Sequence, residues 1–159
     1  MKVEIILANT KFKNPFSWLI RKIERSTFSH AAIAFYDHDQ VMVVHSNQYR
    51  VNLEHIESFE KNETIVHSIQ VEVNREDFYA VLYPYLGRQY GYLNVLGMGI
   101  QRLLKVFGIK IKNPLKDKDK TFVCSELVIR LLQQSSDYCK DLDPERDGPA
   151  DLYKSLKVK

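Results

Sequence analysis

The strongest constraint on the fold is a single change of period at Asn74. Ahead of it, Ile65 to Val73 alternates apolar and polar, as a half-buried strand does. Beyond it, Phe78, Val81, Leu82 and Tyr85 recur at helical spacing, with Asn74 placed to cap the helix and Asp77 in its first turn. Further upstream, residues 3–8 are β-branched and apolar and read as a first strand. A turn over 9–15 follows, with Asn14 as N-cap and Pro15 at the first helical position. Phe16, Leu19, Ile20 and Ile23 then mark a helix. Two β-like runs, 29–36 and 41–46, are joined by Asp37-His38-Asp39-Gln40 as a hairpin, and a third short run covers about 49–53. After Pro84, which kinks or ends its helix, 87–92 reads as a loop. Leu93 to Phe107 reads as a helix weakened by Gly97 and Gly99, and 113–120 as a charged loop. A loop over 141–148 leads to a closing helix over 149–156. The order predicts an α+β fold, a small antiparallel sheet packed on helices.

The chain has 159 residues, 45% hydrophobic and 27% charged, and one domain spanning 1–159 is expected. A net charge of +3 with acids and bases interspersed does not favour a nucleic-acid partner, and no zinc-finger spacing is present. The apolar stretch at residues 3–8 is too short for a signal peptide and contains Glu4. No window approaches the roughly 18 apolar residues that span a bilayer. Two cysteines do not make a disulfide framework, so a reducing, cytoplasmic location is expected.

Chemistry concentrates at Cys124. Val123, Leu127, Val128, Leu131 and Leu132 are apolar at helical spacing, which starts a helix at or just before the cysteine. A thiol there feels the positive end of the helix dipole and unpaired backbone N–H groups, both of which favour thiolate. The first turn, reached through a charged loop, also makes exposure easier. Cys139, among polar residues at a helix end, has only Lys140 to lower its pKa and reads as non-catalytic. Among five histidines, His38 lies between two aspartates in a turn, His55 lies in a polar stretch, and His67 sits on a strand with no other candidate nearby. His30 and His45 belong to consecutive strands. Counting outward from the turn, Tyr36 faces about Val41, so the two histidines fall within a residue or two of opposite. His45 is then placed to orient His30, the role that a carboxylate or amide fills in other triads. His30, His45 and Cys124 are also adequate zinc ligands, but neither CxxC nor HExxH spacing occurs, so no metal and no cofactor are expected.

Four segments, Phe28-Ser29-His30-Ala31-Ala32-Ile33, Val43-Val44-His45-Ser46, Gly87-Arg88-Gln89-Tyr90-Gly91 and Phe122-Val123-Cys124-Ser125-Glu126-Leu127, resemble the circularly permuted branch of the NlpC-like papain-fold superfamily. That branch includes bacterial and phage hydrolases and the lecithin–retinol acyltransferase-like enzymes. The closing Gly148-Pro149-Ala150-Asp151-Leu152 is similar to the family's C-terminal segment. The resemblance spans most of the chain, histidine strand first and cysteine helix last. It implies a papain-like fold with Cys124 as nucleophile, His30 as general base and His45 as the third polar residue. It also implies Tyr90, Ser29 and Ser125 as substrate-binding residues and a structural role for Glu126. Position 45 departs from the commoner pattern, where glutamate is frequent. A neutral imidazole stabilises imidazolium less than a carboxylate does.

The reaction expected is cysteine hydrolysis of an amide (peptide or peptidoglycan-type) or an ester through an acyl-enzyme, with a peptide, peptidoglycan or acyl substrate as partner. Two other readings compete. The stretch 100–112 interleaves apolar residues with Arg102, Lys105, Lys110 and Lys112, as a segment gripping an acyl chain or an anionic membrane would. That suits a lipid acyltransferase, though a buried apolar face with solvated cations is the simpler account. A binding module without turnover is the third reading, and it has no need of both Cys124 and His30.

Overall fold

The computed structural model describes residues 1–11, 15–91 and 121–157, together with positions 97, 100 and 108. The chain is α+β. Strand β1 (Lys2–Thr10) leads to helix α1 (Pro15–Glu24), then β2 (His30–Asp37), β3 (Gln40–Ser46) and β4 (Val51–His55). Helix α2 (Ile56–Asn62), β5 (Glu63–Glu72) and α3 (Arg75–Leu82) follow. Five strands form one antiparallel sheet in the order β4-β3-β2-β1-β5. Helix α4 (Cys124–Ser135) and helix α5 (Pro149–Lys157) complete the five α-helices among the described residues.

Local chemistry accounts for most boundaries. The Asn74 side chain accepts the Asp77 N–H at 3.1 Å and so caps α3, and a 3-10 turn over Tyr83–Tyr85 ends the helical run at Pro84. The β2–β3 hairpin turns on His38 and Asp39, both with positive φ (44° and 64°), the conformation that matches the twist of the flanking strands. It fixes Tyr36 opposite Val41.

Three expectations are corrected. β4 runs from Val51 to His55, about two residues later than the expected run at 49–53. Helix α2 was not expected at all, because Phe59 is its only buried residue and a single apolar anchor leaves no periodic stripe. Gln89–Tyr90 is not loop but a short strand, β6, paired in parallel with Thr121–Phe122, β7. The expected Asn14 cap and the loop at 113–120 lie outside the described residues, as does the helix at 93–107 apart from positions 97 and 100.

The sheet is covered on both faces. Val3, Ile5 and Leu7 of β1, and Ala31, Ile33 and Phe35 of β2, pack against α3, α4 and α5 through Phe78, Leu82, Leu127, Leu131 and Leu152. On the other face Ile6, Ala8, Ala32, Ala34 and Val43 pack under Phe59 of α2. Central β2 is therefore apolar on both sides, which explains its near-continuous HAAIAF run. Among the described residues, no helix is long and apolar enough to cross a membrane.

Candidate active site

Three strands place three polar side chains on the α2 face, each one step from the next. Ala8 pairs with His30, Ala32 with His45, and Val43 with Glu54, so all three polar residues share the face of those buried partners. His30 and His45 are diagonal neighbours across β2–β3, and His45 and Glu54 are diagonal across β3–β4, since His45 itself faces Asn52. The side chains meet accordingly. His30 Nε2 lies 2.9 Å from His45 Nδ1, and His45 Nε2 lies 2.7 Å from Glu54 Oε1. The Ser58 hydroxyl of α2 donates to Glu54 Oε2 at 2.8 Å and holds the carboxylate. The Phe59 ring packs at 6.1 Å from that of His30 and 5.1 Å from that of His45.

A carboxylate only accepts, so His45 Nε2 carries a hydrogen and donates it to Glu54. Neutral His45 then accepts at Nδ1, so His30 Nε2 is the donor. In neutral His30 the remaining lone pair is on Nδ1. The chain thus has one direction, with its basic end at His30 Nδ1. Burial, and then the neighbouring His45, hold the His30 imidazole well below the usual histidine range. Burial also lowers His45, opposed by the charge and hydrogen bond of Glu54. His30 is a neutral base at neutral pH.

Cys124 belongs to the helix packed on the opposite face, and its thiol lies at the start of β2, beside the backbone that carries His30. It opens α4 behind an extended Val123 (φ −92°, ψ 159°) that offers no side-chain cap, so the amides of the first turn are not taken up by one. Its thiol donates to the Ser29 carbonyl at 3.9 Å, one peptide from His30. Ser29 is fixed in turn: its hydroxyl pairs with that of Ser17 in α1 at 2.5 Å and reaches Asn9 Oδ1 at 3.4 Å. Cys124 is 2% exposed, buried as free cysteines commonly are, although the first turn makes exposure easier than a mid-helix position would. The buried thiol thus directs its hydrogen at a backbone carbonyl of the strand start that carries His30.

The other expected site residues gather at the same helix start. Tyr90 of β6 and Ile20 of α1 pack against Val123. Ser125 is buried in the first turn, and Ser29 is buried beneath the thiol. Glu126 takes two bonds from Arg130, at 3.1 and 3.0 Å, and Arg130 continues to Glu145 at 3.4 Å, tying α4 to the loop before α5. Cys139 is buried in the main core, far along the chain from the helix start. His67 stacks on Tyr153 at 4.7 Å and meets the edge of Phe28 at 5.8 Å. Glu54 and Ser58 escaped sequence reading. Their only signal was the position of Glu54 two residues beyond the partner of His45, which requires the register of β4.

His30 and His45 spend facing nitrogens on each other, and among the described residues no group of three His, Cys, Asp or Glu side chains is placed to hold a metal ion. The stretch at 100–112, which interleaves apolar residues with cations, lies outside the described residues apart from positions 100 and 108. No protein-family model matches the chain, and no curated protein matches it.

Proposed function

We propose that the chain is a permuted papain-like cysteine hydrolase that cleaves an amide, peptide or peptidoglycan-type, or an ester through an acyl-enzyme. The observation that carries the reading is the one-way chain Glu54–His45–His30, ending one peptide from a thiol at a helix start. In the first step the Cys124 sulfur bonds to the substrate carbonyl carbon while its proton passes to His30 Nδ1. The negative charge that develops on the carbonyl oxygen is met by backbone N–H groups in the first turn of α4. His30 then gives the proton to the departing amine or alcohol, leaving a thioester on Cys124. A water attacks that thioester as His30 takes its proton; the acid leaves, and the thiol is restored.

His45 and Glu54 act on His30 without touching substrate. They keep its hydrogen on Nε2, and Glu54 offsets part of the positive charge that the imidazoles carry in the transition state. The glutamate missing at position 45 is thus supplied one link further back.

Turnover of amide and ester panels by single-site variants tests the reading. Cys124→Ala and His30→Ala should each lower kcat by several orders of magnitude with the fold retained, and Cys139→Ala should keep turnover. Wild-type rates in Cys124→Ala would overturn the mechanism.

A further inference from the structure

Helix α1 has two sides of different chemistry. Its inner side is engaged: the Ser17 hydroxyl pairs with that of Ser29, and Ile20 packs against Val123. On its outer side, Trp18, Arg21, Lys22 and Arg25 stand at i, i+3, i+4 and i+7, the spacing of one helical face. Trp18 is 56% exposed, and all three cations are exposed. The Lys22 ammonium lies 6.0 Å from the centre of the indole ring. Among the described residues, none of the three cations forms an ion pair with an acid.

Arg25 stands in this stripe against its backbone preference. It follows α1 directly at φ 49°, the left-handed conformation that closes the helix, and the Ser26 N–H reaches back to the Arg21 carbonyl at 3.2 Å. Glycine takes that conformation without strain, whereas a residue with a Cβ does not. Cations near a helix C-terminus also suit the helix dipole. The dipole gives no reason to leave a large indole in water beside them. An exposed tryptophan among unpaired cations fits the headgroup layer of an anionic membrane. There the ring meets an apolar boundary, its N–H stays hydrogen-bonded, and the cations face lipid phosphates. A nucleic-acid duplex would answer the cations alone, because its phosphates offer the ring no apolar layer.

We propose that the outer face of α1 docks on an anionic lipid bilayer, with Trp18 inserted at the interface and Arg21, Lys22 and Arg25 against the headgroups. One ring and three cations make a reversible contact that salt weakens. The inner side of the same helix touches Ser29 and Val123, so docking sets the bilayer surface about one helix diameter, roughly 10 Å, from the start of α4. This surface goes beyond the hydrolase reading and does not depend on it. Its test reads binding, not turnover.

Trp18 is the one tryptophan in the sequence, so its emission reports the contact directly. The whole chain is titrated with vesicles of equal parts phosphatidylserine and phosphatidylcholine. The emission should shift to the blue and be quenched when the acyl chains carry bromine. Vesicles of phosphatidylcholine alone should do neither, and added salt should reverse the shift. Arg21→Gln with Lys22→Gln should weaken partitioning about 25-fold, or about fivefold for each cation. Trp18→Ala, read by co-sedimentation, should weaken it about tenfold. Absence of a blue shift with the mixed vesicles overturns the proposal. So does an equal shift with phosphatidylcholine alone, or undiminished binding by the double variant. An equal shift with a DNA duplex or polyglutamate in place of lipid overturns it too, and gives the stripe to that polyanion. Should the double variant fail to fold, the wild-type titrations and Trp18→Ala decide the matter.

Discussion

In the proposed mechanism the histidine base must stay neutral at working pH and aim one lone pair, and His30 is fitted for both by a residue of α2 and a residue of β3. Burial under Phe59 keeps it neutral, and His45 fixes its tautomer at 2.9 Å. Because its proton affinity is lowered, the base is available above a pKa well under the usual 6.5. The acid limb of kcat/KM should accordingly fall below pH 6.5, and a limb at or above that value would contradict the burial argument. Glu54→Gln keeps an acceptor for His45 and removes the charge. It should lower kcat by at least about tenfold, less than the loss of Cys124 or His30. It should also leave KM nearly unchanged, the mark of a group that acts through another. The His30–His45 pair was legible in the sequence because a tight turn sets a hairpin's register by counting. Glu54 was not, because β4 is joined to β3 by a looser connection and begins two residues later than its composition suggests.

Elements with their own chemical signal were read well, and those held by a single tertiary contact were not. The α3 cap follows from Asn74 and Asp77 alone, and the start of α4 follows from its apolar stripe. Helix α2 has only Phe59 to announce it, and β6 and β7 are two residues each and exist only as a pair. The hairpin that aligns the histidines contains a local compromise. Asp39 sits at φ 64°, where a side chain costs about 1 kcal/mol that glycine avoids. Asp39→Gly should therefore stabilise the fold by about 0.5–1 kcal/mol, read from the denaturant midpoint. The position is exposed in a turn away from the relay, so turnover should be unaffected. Destabilisation would mean that the turn is held by contacts of the Asp39 side chain.

Buried acids and bases pull the whole molecule's stability in opposite directions with pH. His30 and His45 bind protons less readily folded than unfolded, so their contribution is present above pH 6.5 and lost as pH falls below it. Glu63 is the reverse. Its folded pKa is raised from 4.5 to about 7, so its contribution is full below 4.5 and lost as pH rises to 7. The unfolding free energy of Glu63→Gln minus that of the wild type should rise by about 2–3 kcal/mol across that window, allowing for partial solvent screening. A flat difference would show that Glu63 ionises as freely folded as unfolded. The two faces of the sheet also divide the site by distance along the chain. Base and carboxylate are joined by bonds spanning 15 and 9 residues, whereas the thiol reaches the Ser29 carbonyl across 95. Short loops close at lower entropic cost than long ones, so the β2–β4 meander is favoured to form ahead of the docking of α4. A chain halted at that stage carries the finished histidine–carboxylate relay and no thiol beside it. In the proposed mechanism the last contact to be made is the one that arms the molecule, and a half-folded copy is chemically silent.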